Sequence, residues 1–170
     1  SKKNRIILQR RSAGNGRESF RSMLGGVLWQ ERDSSTEQAS GMRPVTARQP
    51  SEEEYLDMVF ANKIVKHSRS NAIVLAKNRQ LCASGIGQTS RIDALRQAIQ
   101  KAKAFGFSLE GAVMASDAYF PFADSVTTAH EAGIAAVVQP GGSVRDQESI
   151  DYCNKTGVAM VFTGVRHFKH

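Results

Sequence analysis

Ala112-Val113-Met114-Ala115-Ser116-Asp117-Ala118-Tyr119-Phe120-Pro121-Phe122-Ala123-Asp124 is the stretch on which the fold turns. An apolar, strand-like run ends at Ala115, and a helical pattern begins beyond the loop. The loop therefore sits at the carboxyl end of a strand, where open α/β sheets bind ligands. Between Ser116 and Asp124 lie three aromatic rings, a rigid proline and two carboxylates. Packing alone seldom asks for that mixture in a loop, although two of the rings serve equally well as core anchors.

Downstream, Phe122, Val126 and Ala129 start a helical face that Gly133 stops. Residues 134–138 form a strand, Pro140-Gly141-Gly142-Ser143 turns into a helix around 145–154, and 158–162 is the last strand. Upstream, residues 72–76 and 81–86 read as a hairpin joined through Lys77-Asn78-Arg79-Gln80. Ser90 caps a helix on which Ile92, Leu95 and Ile99 recur at helical spacing. Ser51, with Glu54 three residues on, predicts a capping box, followed by a buried stripe of Leu56, Val59, Phe60 and Ile64. Lys63, Lys66 and His67 suit the negative pole of that helix. Residues 31–49 read as a long surface connection, and residues 5–8 and 23–30 as strands, the paired glycines Gly25-Gly26 either bulging the second or letting another backbone approach it closely.

Alternating helices and strands argue for a sheet covered on both faces, and the hairpin excludes an all-parallel one. The expectation is α/β: a three-layer α/β/α sandwich with a mixed sheet. Its organisation is expected to be residues 1–49, strands and connection continuing from an absent upstream region, and residues 50–170, the main subdomain. Ser1-Lys2-Lys3-Asn4 running straight into a strand suggests a piece of a longer polypeptide.

At 170 residues, with 41% hydrophobic and 23% charged side chains, the chain can bury a sizeable core. No apolar stretch approaches the ~20 residues of a membrane span, and the basic N-terminus lacks the core of a signal peptide. Cys82 and Cys153 show no metal-ligand spacing and read as buried free thiols in a reducing cytoplasm. The net charge is +7, but residues 1–21 set seven cations against Glu18 alone, leaving +1 for the remainder. So local an excess argues against nucleic acid as a partner; a basic nucleic-acid-binding α/β module is the alternative reading.

Several loops carry possible chemistry. Gly141-Gly142-Ser143 is either an anion-binding turn made of free backbone N–H groups or a plain strand-to-helix turn. Gly85-Ile86-Gly87-Gln88-Thr89-Ser90-Arg91 has the same logic, with Arg91 either gripping an anion or lying on the surface. Asn71 either satisfies a turn or reads an amide or heterocycle. Phe168 could dock the terminal segment and hold Arg166 in a cleft. The four histidines lack the zinc-deaminase pattern, and no nucleophile elbow occurs.

Taken together, Lys66-His67-Ser68-Arg69-Ser70-Asn71-Ala72, Gly85 to Arg91, Ser116 to Phe122, Gln139-Pro140-Gly141-Gly142-Ser143 and Arg166-His167-Phe168 resemble one family, AICAR formyltransferase/IMP cyclohydrolase. The resemblance covers essentially the whole chain and places it in the C-terminal part of the formyltransferase region. It implies a cytidine-deaminase-like fold without zinc or any other metal. It also implies that the cyclohydrolase domain and the first half of the transferase lie elsewhere. The Lys-His-x-Asn-Pro motif expected to transfer protons belongs to that first half, so no catalytic residue is assigned here, and Lys66-His67 belongs to the second copy of an internally duplicated fold.

The implied reaction moves a formyl group from 10-formyltetrahydrofolate to the amine of AICAR. By resemblance, Asn71, Arg91, Tyr119 and Arg166 match AICAR-holding residues. Arg166 is assigned to the phosphate, Arg91 to a further anion contact and Asn71 to the imidazole carboxamide. Ile92, Asp124, Ser143 and Val144 match the folate side, Asp124 facing the pterin edge. Tyr119 departs from the commoner phenylalanine: its ring can stack, and its hydroxyl needs a partner. The family implies a homodimer with active sites at the subunit interface. A non-catalytic folate or nucleotide sensor is a third class, distinguished by whether the upstream reading frame encodes Lys-His-x-Asn-Pro.

Overall fold

The computed structural model describes residues 16–169. They fall into two compact units, divided between Ser34 and Ser35. The strand expected at 5–8 lies outside the described residues.

In the first unit, β1 (Glu18–Met23) and β2 (Gly26–Glu31) form an antiparallel hairpin, Phe20 facing Trp29 across it. The sequence reading of one bulged strand over 23–30 is thus corrected. Gly25 takes a φ of 75°, a turn conformation that glycine adopts without steric cost, so the chain reverses there.

The second unit is built on a six-stranded mixed sheet in the order β3-β8-β7-β6-β4-β5. Its strands are β3 (Arg43–Pro44), β4 (Ile73–Lys77), β5 (Gln80–Gly85), β6 (Ala112–Ser116), β7 (Ile134–Gln139) and β8 (Ala159–Phe162). β6, β7 and β8 run parallel, while β4, β5 and β3 add antiparallel pairs at the two sides. The helices are α1 (Glu52–His67), α2 (Arg91–Ala104), α3 (Asp124–Glu131) and α4 (Asp146–Thr156).

Alternation along the strands creates two cores. Ile73, Leu75, Met114, Val137 and Met160 pack under α2, α3 and α4. Val74, Val113, Ala115, Val138 and Val161 pack against α1. The sheet is therefore covered on both faces, as the pattern predicts. Among the described residues no helix is long and apolar enough to cross a membrane.

Three local expectations are corrected. Residues 31–49 are not wholly a surface connection, because Arg43 and Pro44 pair with Phe162 and Val161 and extend the sheet. Such a strand is too short to show a period, and proline is tolerated at a sheet edge. On α1 the fully buried apolar residues are Met58, Ala61 and Val65; Val59, Phe60 and Ile64 are half-buried and Leu56 is exposed. The stripe is rotated because Asp57 also turns inward. Its carboxylate accepts the N–H groups of Asn78 (2.8 Å) and Arg79 (2.6 Å), both at positive φ in the β4–β5 turn. Phe122 lies exposed ahead of α3 instead of opening its buried face. The Ser51–Glu54 capping box and the Ser90 cap form as predicted.

Gly85 has a structural duty. A Cβ there would lie 1.8 Å from the Ala94 carbonyl oxygen, so glycine lets α2 press its backbone onto β5. Gly41 has open space around its Cβ position. Gly85→Ala is expected to lower stability by about 3 kcal/mol, the upper range for overpacking, and Gly41→Ala by less than about 0.5 kcal/mol, both measured by urea unfolding.

Both cysteines are buried and free. Burial pushes the Cys82 thiol up and the Cys153 thiol up to about 12, so both hold less thiolate than a free cysteine at any neutral or mildly alkaline pH. Aromatic disulfide reagents at pH 8 are expected to titrate neither thiol in the folded chain and both after urea unfolding. Rapid native-state labelling of Cys153 would contradict its burial.

Candidate functional site

Because β6, β7 and β8 are parallel and β4 is antiparallel to β6, one end of the sheet gathers the starts of β3 and β4 and the ends of β5, β6, β7 and β8. The loops singled out in the sequence emerge there. Asn71 precedes β4, Arg91 opens α2 after β5, the aromatic loop follows β6, the glycine turn follows β7, and Arg166 follows β8.

Asp117 ties this end together. It is fully buried, its N–H donates to the Ala72 carbonyl (3.3 Å), and its own carbonyl accepts from His167 N–H (2.8 Å). Its carboxylate accepts from Arg91 Nη2 at 3.3 Å, and the Arg91 side chain is only 13% exposed. Arg91 is thus anchored inward and not spread on the surface. Arg91 Nε and Asp117 Oδ2 are buried without a hydrogen-bond partner among the described residues, so donor and acceptor capacity stays open at the site.

Two residues beyond Asp117, the Tyr119 ring carries the Arg166 guanidinium at 4.7 Å. Arg166 is exposed and stacked, a geometry that leaves its planar donors available to an oxyanion. Asn71 binds Gln88 three ways: by its N–H and Nδ2 to the Gln88 carbonyl, and by its carbonyl from Gln88 N–H, at 3.0–3.3 Å. The amide donor is therefore engaged in joining the start of β4 to the loop before Arg91. The four residues matched to AICAR thus share one end of the sheet.

The second group is bridged by Arg145, whose guanidinium lies 5.0 Å from the Phe122 ring centroid, joining the loops after β6 and β7. Asp124 is exposed at the start of α3 and accepts from Ser125 Oγ (3.3 Å). Val144 projects fully into solvent, and Ser143 is half-buried beside it. Ile92 is half-buried and packs on the α2 core.

The glycine turn is not a vacant anion cradle. Asp146 Oδ2 accepts the N–H groups of Gly142 (2.7 Å) and Ser143 (3.1 Å), so the chain supplies its own carboxylate, and α4 starts at Asp146. Gly141 lies against Phe162, whose ring would stand 2.5 Å from an added Cβ. Between these glycines, Arg43, Phe162 and Arg166 opens a cavity of about 650 Å³. Arg43 stacks on Phe162 with its guanidinium 5.7 Å from the ring centroid.

Sequence reasoning passed over Arg43 and quoted Gln139 only as part of a motif, with no role of its own. Gln139 is fully buried and its Oε1 accepts Phe120 N–H (3.2 Å), fixing the aromatic loop. A polar residue closing an apolar strand was the available signal. Among the described residues no cluster of three or more His, Cys, Asp or Glu is placed to hold a metal.

Arg43 and Arg166 stack on aromatic rings beside the cavity at the strand ends of a mixed α/β sheet, an arrangement chemically suited to a phosphorylated or carboxylated small molecule. More particularly, the chain belongs to the AICARFT/IMPCHase bienzyme family, whose profile matches residues 1–101. It is 61% identical over 169 residues to a bifunctional purine biosynthesis protein PurH of Bacteroides thetaiotaomicron, covering 99% of this chain and 33% of that protein. The PurH proteins of Aquifex aeolicus (54% identical, 88% of this chain and 29% of the relative) and Chlorobaculum parvum (48%, 99% and 32%) agree. The chain spans about a third of the length of these curated relatives. A solved diaminohydroxyphosphoribosylaminopyrimidine deaminase/5-amino-6-(5-phosphoribosylamino)uracil reductase of Thermotoga maritima overlaps 62% of this chain and 34% of its own, at 20% identity and a TM-score of 0.40, too partial an overlap to carry weight.

Removing the Asp117 carboxylate tests the architecture of this end. Asp117→Ala strands a mostly buried guanidinium and is expected to cost about 3 kcal/mol in urea unfolding, with hydrogen exchange accelerated around residues 71, 91 and 167.

Proposed function

We propose that this chain is the C-terminal part of a formyltransferase that moves a formyl group from 10-formyltetrahydrofolate to AICAR in purine biosynthesis, within a cytoplasmic enzyme that also carries IMP cyclohydrolase activity. The observation that carries the reading is the Arg166 guanidinium stacked 4.7 Å from the Tyr119 ring centroid, beside the Asp117-anchored Arg91. Arg166 pairs with the ribotide phosphate, and Tyr119 holds that cation and lines the pocket. Arg91 offers its open Nε to a further acceptor on AICAR, and Asn71 presents its side-chain oxygen to the carboxamide. Ile92, Asp124, Ser143 and Val144 face the folate, with the Asp124 carboxylate accepting from the pterin edge.

In the transfer, the AICAR amine forms a bond to the formyl carbon as the bond from that carbon to folate N10 breaks. The amine gives up a proton and N10 gains one. A carboxamide-conjugated amine is a poor nucleophile, so orientation and proton removal dominate the barrier. This chain contributes orientation. Proton transfer falls to a Lys-His-x-Asn-Pro motif, which this sequence does not contain, so the complete site needs the rest of the polypeptide and its homodimer.

The 170-residue chain is expected to bind AICAR in calorimetry or NMR titration more tightly than its phosphate-free nucleoside. Arg166→Ala is expected to weaken AICAR at least 10-fold and to leave the nucleoside within 2-fold. Formyl transfer by the chain alone is expected to be undetectable. Equal affinity for ribotide and nucleoside would overturn the phosphate assignment, and robust turnover by the chain alone would overturn the division of labour.

A further inference from the structure

Arg166 is exposed, four residues past the end of β8, in a segment without regular secondary structure. Its neighbour His167 is 1% exposed. Glu37 Oε2 accepts from His167 Nε2 and from Asn62 Nδ2, both at 2.9 Å, and both other side chains are buried as well. The carboxylate thus calls for a proton on Nε2. The segment is tied at two further points. His167 N–H reaches the Asp117 carbonyl, and Lys169 exchanges bonds with Ser70: its N–H to Ser70 Oγ (3.0 Å) and its carbonyl from Ser70 N–H (3.1 Å).

Along this segment the side chains alternate: Arg166 out, His167 in, Phe168 partly out. In extended chain, successive side chains face opposite ways, so a slip of one residue inverts every one of them. A slip that put Phe168 into the slot would turn Arg166 off Tyr119. An apolar slot would accept Phe168 at least as well as His167. A slot floored by Glu37 disfavours it, because the ring removes the imidazole donor and leaves the buried carboxylate with Asn62 alone. Simple docking of the segment needs no such group, since an apolar pair commonly replaces a buried polar couple without loss of stability.

We infer that the buried Glu37–His167 couple is a register pin that positions Arg166, making both of them positioning residues for the anion-binding end of the sheet. The identity of that anion rests on the reading under Proposed function; the pin itself does not.

The test replaces the couple by an apolar pair, Glu37→Leu with His167→Leu, in an Asn62→Leu background because that buried amide otherwise loses its acceptor; the variant buries no orphan charge or donor and is expected to fold with an unchanged or higher melting temperature. Amide hydrogen exchange at His167 and Lys169 is expected to accelerate at least 10-fold, while the β6 and β7 amides keep their protection. In parallel, the preference for AICAR over its nucleoside is expected to fall at least 10-fold. The conservative single variants His167→Gln and Glu37→Gln, which keep a donor or an acceptor in the slot, are expected to stay within 3-fold of the parent in both readouts. Retained exchange protection in the apolar pair overturns the pin, as does an equal loss in the conservative variants. If the parent chain itself shows no preference for AICAR, the substrate reading falls, and the exchange result still decides the pin.

Discussion

The sheet end depends on one buried carboxylate residue that belongs to no regular element. Asp117 uses its N–H, its carbonyl and its carboxylate on three different segments: the start of β4, the terminal segment and the first turn of α2. A fully buried carboxylate is costly unless charge and hydrogen bonds compensate it, so Arg91 is obliged to turn inward. Once Arg91 and the His167 backbone are placed, Tyr119 and Arg166 meet two residues further along the loop and one residue back along the terminal segment. The hydrogen bonds that make this end rigid therefore also aim the groups left exposed.

Glycine and carboxylate residues divide the loop work in an instructive way. Two glycine-rich turns looked alike in the sequence, each suited to an anion. At Gly85 the small residue serves helix-to-strand packing. At Gly142 and Ser143 the backbone donors are already taken by Asp146, a carboxylate four residues after the first of them. The second turn is therefore filled from within the chain, and the first owes its initial glycine to packing. Arg43 and Arg166 each lie over an aromatic ring, an arrangement that limits rotamer freedom without consuming hydrogen-bond donors, whereas Arg145, stacked on Phe122, also turns its Nε to Glu148 at 3.3 Å.

The family relation and the geometry address different scales. The relatives match essentially the whole chain, which spans about a third of their length. The geometry accounts for how the chain brings Arg166 onto Tyr119 and joins the loops after β6 and β7 through Arg145 and Phe122. Under the proposed function this end orients substrate without holding the proton-transfer group, a division that is physically sensible because orientation and proton transfer are separable contributions to rate.

What the sequence determined by itself was whatever is written within a few residues: the Ser51–Glu54 box, the Ser90 cap, the hairpin through Asn78-Arg79, the alternation of strands and helices, and the loop motifs that carry the family resemblance. Caps, turns and periodicity are short-range physics, so a single sequence displays them. Only the tertiary structure decided that Arg43 and Pro44 join the sheet, that α1 rolls to bury Asp57, that Asp146 fills the glycine turn, and that Glu37 meets His167 across 130 positions. Those outcomes depend on which segments the sheet order makes neighbours, and burial then forces each polar group to find the partner nearest in space.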